Sequence, residues 1–246
     1  MFFHCQLVIL ILVLTLDGQE EAVPHSRPYM VLLEEHMRNG QKRYCGGFLL
    51  NEDFVMTAAH CQGRSYKVLL GLHDFQDKNG VQIISVEQTF PHIFYDETNL
   101  KNDIMLLKLS SKAKFSDKVR PIALAGPGDG LQPKSCIVSG WGKTDENKRY
   151  MSFKLMEDNV TLINNPLCAK ENMYCSEGRI GPHHGDAGIP LVCEDGKAYG
   201  VASGIFKPAS GDLQIHRYTK IPDYRSWIDS IIENVLRNSD FICWAT

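Results

Sequence analysis

Beyond its first sixteen residues the 246-residue sequence has no apolar run long enough to cross a bilayer. The terminal run itself, Leu7-Val8-Ile9-Leu10-Ile11-Leu12-Val13-Leu14 extended by Thr15 and Leu16, is also too short to span. It suits the apolar centre of a secretory leader, although no Lys or Arg precedes it; a buried helix or strand is the alternative. A leader of 1–18 and export as a soluble protein are therefore expected, with no membrane association. A strong charge of either sign is lacking too. Lys and Arg number 26 against 29 Asp and Glu, a net charge of −3, or about −2 once Asp17 leaves with the leader. That balance gives no electrostatic basis for a nucleic-acid partner. No Cys–His spacing resembles a zinc site, and no low-complexity linker or short repeat interrupts the chain. With 43% hydrophobic and 22% charged residues, what remains is an ordinary folding composition.

Cysteine is plentiful by comparison. Of eight, Cys5 falls in the leader, and the remaining seven leave one thiol over. Such a count fits disulfides in an oxidising compartment. Short β segments separated by Gly and Pro turns run through the body. Tyr29–Leu33, Tyr44–Leu50, Asp53–Thr57, Tyr66–Leu70, Val81–Gln88 and Ile104–Leu109 form a first set. After Pro121 come Ser135–Ser139, Lys154–Leu162, Met173–Cys175, Pro190–Cys193, Ala198–Phe206 and Ile215–Thr219. Regular short strands of this kind indicate an all-β antiparallel barrel or sandwich. In Pro222–Leu236, Trp227, Ile231 and Val235 beside Ile228, Ile232 and Leu236 form two lines at helical spacing.

Five motifs then follow in order: Cys45-Gly46-Gly47, Thr57-Ala58-Ala59-His60-Cys61, Asn102-Asp103-Ile104-Met105-Leu106-Leu107, Ser139-Gly140-Trp141-Gly142 and Gly185-Asp186-Ala187-Gly188-Ile189-Pro190. Together they resemble the chymotrypsin-like (trypsin-fold) serine proteases. Pro24-His25-Ser26-Arg27-Pro28-Tyr29-Met30 resembles the opening of the granzyme and mast-cell protease branch. The resemblance covers 24–236 and implies two six-stranded antiparallel Greek-key β-barrels with a C-terminal α-helix. A protease domain of 19–236 would hold a first barrel at 24–121, a second at 122–221 and a helix at 222–236 docked on the second, before a tail at 237–246. It also implies the disulfides Cys45–Cys61, Cys136–Cys193 and Cys168–Cys175. The last closes a loop shorter than the family's usual one, and Cys243 lies beyond the family's normal end.

Acyl transfer to a serine needs a nucleophile, a base, a group that orients the base, and donors for the oxyanion. By resemblance His60 is the base, Asp103 orients it, and the N–H groups of Gly185 and Ala187 form the oxyanion hole. The family's motif reads Gly-Asp-Ser-Gly-Gly-Pro; here its serine is Ala187 and its second following glycine is Ile189. A methyl group has no lone pair with which to attack a carbonyl. The activation segment differs as well: Ile-Ile-Gly-Gly is expected where Leu16-Asp17-Gly18-Gln19 stands. In active relatives that N-terminal ammonium pairs with the aspartate found here as Asp186. An unpaired buried carboxylate is unfavourable, so Asp186 is expected to turn outward as in an unactivated zymogen. Ile189 is expected to disturb its turn, and Ala187→Ser alone not to restore activity.

The pocket residues implied are Gly181 at the base, Ser203, Gly204 and Ile205 along the wall, and His216 near the inner wall. Gly181 carries no charge, so a preference for Lys or Arg has no basis, and Ile205 would crowd the entrance. His183 and His184 could bind metal or respond to pH, but exposed loop histidines are the simpler reading. Ser203 is the one serine that the motifs place nearby. Asn159-Val160-Thr161 is a glycosylation sequon. Lys108, Lys112, Lys114, Lys118 and Arg120 form a basic run that would suit a sulfated proteoglycan, with a solvated loop as the default. No cofactor or metal is implied. The expected protein is a monomeric, inactive, secreted or granule-stored protease homologue with protein or peptide ligands between its barrels. A working serine endopeptidase and an inert gene product are the alternatives.

Overall fold

The computed structural model describes residues 19–129, 133–144, 150–178, 181–208 and 213–243. The expected leader, with Cys5 and the Leu16–Gly18 segment, and the side chain of Cys243 lie outside the described residues. A two-residue strand, β1 (Glu20–Glu21), precedes the first barrel. That barrel is built from β2 (Met30–His36), β3 (Lys42–Leu49), β4 (Phe54–Thr57), β5 (Ser65–Leu70), β6 (Gln82–Pro91) and β7 (Met105–Leu109). It closes in the order β2-β3-β4-β7-β6-β5, every pairing antiparallel. The second uses β8 (Ser135–Gly140), β9 (Met156–Ile163), β10 (Met173–Gly178), β11 (Pro190–Cys193), β12 (Ala198–Phe206) and β13 (Gln214–Lys220). Its order is β9-β10-β13-β12-β11-β8, closed by the β8–β9 pairing, with β1 added along β9. A one-turn helix, α1 (Pro166–Lys170), precedes β10 and is capped by the Asn165 side chain, which accepts from Leu167 N and Cys168 N.

The alternation expected of half-buried strands is visible in β9, where Asp158, Val160 and Leu162 point inward and Asn159 and Thr161 outward. The sequon asparagine therefore stands on the solvent face. All three disulfides implied by the resemblance are present: Cys45–Cys61, Cys136–Cys193 and Cys168–Cys175. Between the barrels, Met30, Leu32 and Leu69 of the first pack with Val138, Trp141, Leu155 and Ile189 of the second. The indole N–H of Trp141 donates to the His73 carbonyl at 3.0 Å, satisfying a buried polar group across the junction.

The C-terminal element differs from expectation in three respects. The chain first makes a 3-10 turn at Ile221–Tyr224, where Pro222 suits the opening turn, and the α-helix α2 then runs Arg225–Cys243. It thus continues through much of the expected tail, since 237–243 contains no Pro or Gly to stop it, and Glu233 pairs with Arg237 one turn on. Its apolar face packs into a cluster filled mainly by the first barrel, joined by Val192, Ala198 and Val201 of the second, with Ile228 fully buried. The Trp227 ring meets His92, at the end of β6, edge-on at 5.1 Å between centroids. Ile228→Ala is expected to cost about 2–5 kcal/mol by denaturant unfolding, against less than about 0.5 kcal/mol for exposed Asp229→Ala. Equal losses would mean that the helix is not anchored by this face.

Candidate active site

Asp103 follows Asn102, which adopts a left-handed φ of 53° that asparagine tolerates better than most residues. The Asn102 amide is fixed on both sides: its Nδ2 donates to the Phe94 carbonyl at 2.7 Å, and Tyr224 Oη donates to its Oδ1 at 2.9 Å. The Thr219 hydroxyl donates to the Asp103 carbonyl at 3.0 Å. So held, the carboxylate is completely buried and collects three donors. The His60 backbone N–H reaches Oδ1 at 2.8 Å, while His60 Nδ1 and Ser203 Oγ reach Oδ2 at 2.7 and 2.5 Å. With Nδ1 bound to the carboxylate, Nε2 is the ring nitrogen left for the cleft. The Ser203 proton points to Asp103 and not to His60, so this serine supports the orienting carboxylate.

His60 and Ala187 both line a cleft of about 720 Å³ between the barrels. The turn that carries Ala187 is closed by main-chain bonds: Gly46 N–H to the Ala187 carbonyl (2.7 Å), Gly188 N–H to the Ala202 carbonyl (2.8 Å), and Ile189 N–H to the Asp186 carbonyl (3.2 Å). Gly188 has φ +87°, and a Cβ there would lie 2.2 Å from Thr57 Oγ1, so glycine is required. Within the described protein the N–H groups of Gly185 and Ala187 make no hydrogen bond. Both residues line the cleft, where two free donors would meet an oxyanion.

Two expectations need correcting. Ile189 does not distort the turn: it lies outside the left-handed region and is buried, its Cγ2 lodged over the bare Cα of Gly46. A Cβ on Gly46 would stand 2.2 Å from that atom. Gly46→Ala is therefore expected to destabilise by about 1–3 kcal/mol, and Gly46→Ala with Ile189→Ala by less than the two single changes added. Simple additivity in a denaturant-melt double-mutant cycle would refute this seating.

Nor does Asp186 turn outward. It is buried, and its Oδ1 and Oδ2 accept from the N–H groups of Gly142 (2.6 Å) and His183 (3.1 Å). Gly140 and Gly142 leave the room, since a Cβ on either would fall 2.0–2.2 Å from the carboxylate. Among the described residues no cation faces it. Burial instead pushes its pKa up to about 7, against the lowering effect of the two N–H donors. A proton can therefore do at Asp186 what a partner charge would otherwise do. Asp158, unsuspected from sequence, has the same character. Burial pushes it up to about 7, Asp186 raises it further, the Gln19 amide lowers it, and its Oδ2 has no partner. Only its inward place on β9 could have revealed it.

Both carboxyls hold protons between about pH 4 and 7 that the unfolded chain releases, so they favour folding as pH falls through this window and lose that effect as it rises to about 7. Burial of His25, His92 and His216 depresses their pKa values and opposes this below about pH 6.5. Comparison with Asp186→Asn separates the two. Between about pH 8 and 5.5 the wild type should gain stability over the variant, by up to ~1.4 kcal/mol per pH unit. Parallel melting curves would contradict it.

On the substrate side, Ser203, Gly204 and Ile205 line the cleft as expected, Ile205 partly exposed at its edge. His216 does not form the wall. It is buried behind Gly181, its ring atoms about 2.9 Å from where a Cβ on Gly181 would stand, and its two nitrogens face the carbonyls of Pro182 and Gly178. The cleft is lined instead by Gln214, one inward position earlier on β13, which the motifs did not single out. His184 is exposed, but His183 is buried with its ring edge-on to His216. Among the described residues the one cluster of potential metal ligands is Glu35 with Cys45 and Cys61, whose sulfurs are joined in a disulfide. In the basic run, Lys108 pairs with Asp53 at 2.9 Å, Lys112 with Glu52, and Arg120 with Asp117 at 2.7 Å, whereas Lys114 and Lys118 have no ion-pair partner among the described residues.

Comparison with known proteins agrees with this architecture. The Trypsin family profile matches residues 16–228. Granzyme E of Mus musculus is 38% identical over 250 residues, covering 90% of this chain and 96% of its own. Granzyme B of Rattus norvegicus is 39% identical over 225 residues, covering 86% and 88%. A solved structure described as "Structure of GrC" superposes with a TM-score of 0.77 at 35% identity, covering 88% of this chain and 99% of that one. The chain belongs to the trypsin family of serine proteases and is granzyme-like.

Proposed function

We propose that this chain is an exported protease homologue, secreted or stored in granules, that holds protein or peptide segments between its barrels without cleaving them. The observation that carries the proposal is Ala187, a methyl group in the cleft at the family's nucleophile position. A bound carbonyl could direct its oxygen to the free N–H groups of Gly185 and Ala187, and His60 Nε2 could face the same bond. No oxygen stands between base and carbonyl, so His60 has no nucleophile proton to accept and no acyl-enzyme forms. A site lacking one member of such a set retains about 10³–10⁴-fold acceleration over water, far below a working protease. What survives is the binding half of the machinery: a formed cleft, an oriented imidazole and two unpaired donors. Such a protein would act as a binder or decoy toward segments that active relatives would cut.

The test is exposure of the purified protein to an active-site-directed fluorophosphonate, read by intact mass, beside turnover of a broad peptide library. Neither labelling nor turnover is expected. Stoichiometric labelling at any residue, or turnover abolished by His60→Ala, would establish an active endopeptidase instead.

A further inference from the structure

Charge is distributed unevenly between the cleft and the rest of the molecule. The chain is net −3, yet among the described residues no Asp or Glu lines the cleft, whereas Lys42, Arg43, Lys143, Lys207 and Arg217 do. Three of these cations, Lys42, Arg43 and Arg217, have anionic partners outside it. Lys42 pairs with Glu34 at 3.0 Å, and Arg43 with buried Glu35 at 2.7 Å while also donating to the His60 carbonyl at 2.9 Å. Among the described residues Lys143 and Lys207 make no ion pair. Arg217 holds Glu171 through Nη1 at 3.2 Å, but its Nε is buried without an acceptor. Gln214, 5% exposed, adds a buried amide whose Oε1 has no donor. Turned end over end, that amide would present its NH2 group instead.

We propose that the cleft is built for an acidic peptide segment, with carboxylates seated toward Lys143 near the Gly185 turn and toward Lys207 and Arg217 near the end of β12. This rests on the peptide-binding reading above and gives it a ligand class. A carboxylate placed in such a concave, cationic site is attracted before contact, and the like-charged alternative is repelled. Arg217 already carries a buried Nε without an acceptor, so a ligand carboxylate beside its guanidinium would lower an existing deficit.

The experiment uses three fluorescent peptides of one length and backbone, carrying Glu, Gln or Lys at the same positions, titrated with the intact protein and followed by anisotropy at low and moderate salt. The Glu peptide should bind at least about tenfold more tightly than the Gln peptide, and the Lys peptide more weakly than either. Lys143→Gln with Lys207→Gln, both outside the core, should reduce the Glu advantage about tenfold and flatten its salt dependence without lowering the melting temperature. Equal binding of Glu and Gln peptides, or an unchanged Glu advantage in the double variant, would overturn the acidic assignment while leaving a peptide-binding cleft. Failure of all three peptides to bind would overturn the binding reading itself. A sulfated oligosaccharide that binds through Lys143 and Lys207 where no peptide does would give the cleft to a different ligand and likewise end this proposal.

Discussion

A buried carboxylate that both barrels must satisfy is the constraint on which the rest of the site depends. Asp103 leaves the first barrel just before β7, and its donors come from His60 after β4 and from Ser203 on β12, while Thr219 on β13 anchors its carbonyl. An isolated charge in this place would be prohibitively unfavourable, and losing one donor leaves the others insufficient. The junction between barrels therefore cannot shift without exposing that deficit. Holding Asp103 in place also orients His60, fixes the start of β7 and positions the cleft wall. The catalytic frame and the structural frame are the same set of bonds, which explains how a chain with Ala187 keeps the geometry of an enzyme.

Asp186 shows the opposite solution to the same electrostatic problem. Asp103 is met by an imidazole and two other donors; Asp186 has two backbone donors and no facing cation among the described residues. Its raised pKa lets it accept burial as an acid. Expecting it to swing outward counted the desolvation of a carboxylate but not the alternative of keeping the proton. With the residue inward, the Gly142–Asp186 contact ties down the turn that carries Gly185 and Ala187, both of which line the cleft.

Most of the fold was legible because its signals are local or carried by cysteine and glycine. The twelve strands of the two barrels follow short segments set off by Gly and Pro turns, and His60, Asp103 and Ala187 lie in motifs whose spacing leaves little freedom. Ile189 was misjudged because its consequence depends on Gly46, which is remote in sequence and yields exactly the volume that a β-branched side chain needs. The helix's contact with the first barrel was not legible because its stripe records which face is apolar, not what it meets; the meeting with His92 is tertiary. Asp158 and Gln214 escaped notice for a related reason. A polar residue at an inward strand position is conspicuous only when the strand's orientation is known.

The account's central claim is that the site is assembled and lacks a single nucleophilic oxygen. Ala187→Ser, with no other change, tests it most directly when the variant is exposed to a fluorophosphonate and the mass gain is mapped by peptide fragmentation. Because Ile189 is seated without distorting the turn and Asp186 stays inward, labelling at position 187 is predicted, contrary to the expectation from sequence alone, and it should disappear when His60→Ala is added. An unlabelled single variant, alongside labelling once a cleavable Ile-Ile-Gly-Gly start is introduced, would show that the machinery is not formed until a new N-terminus is supplied.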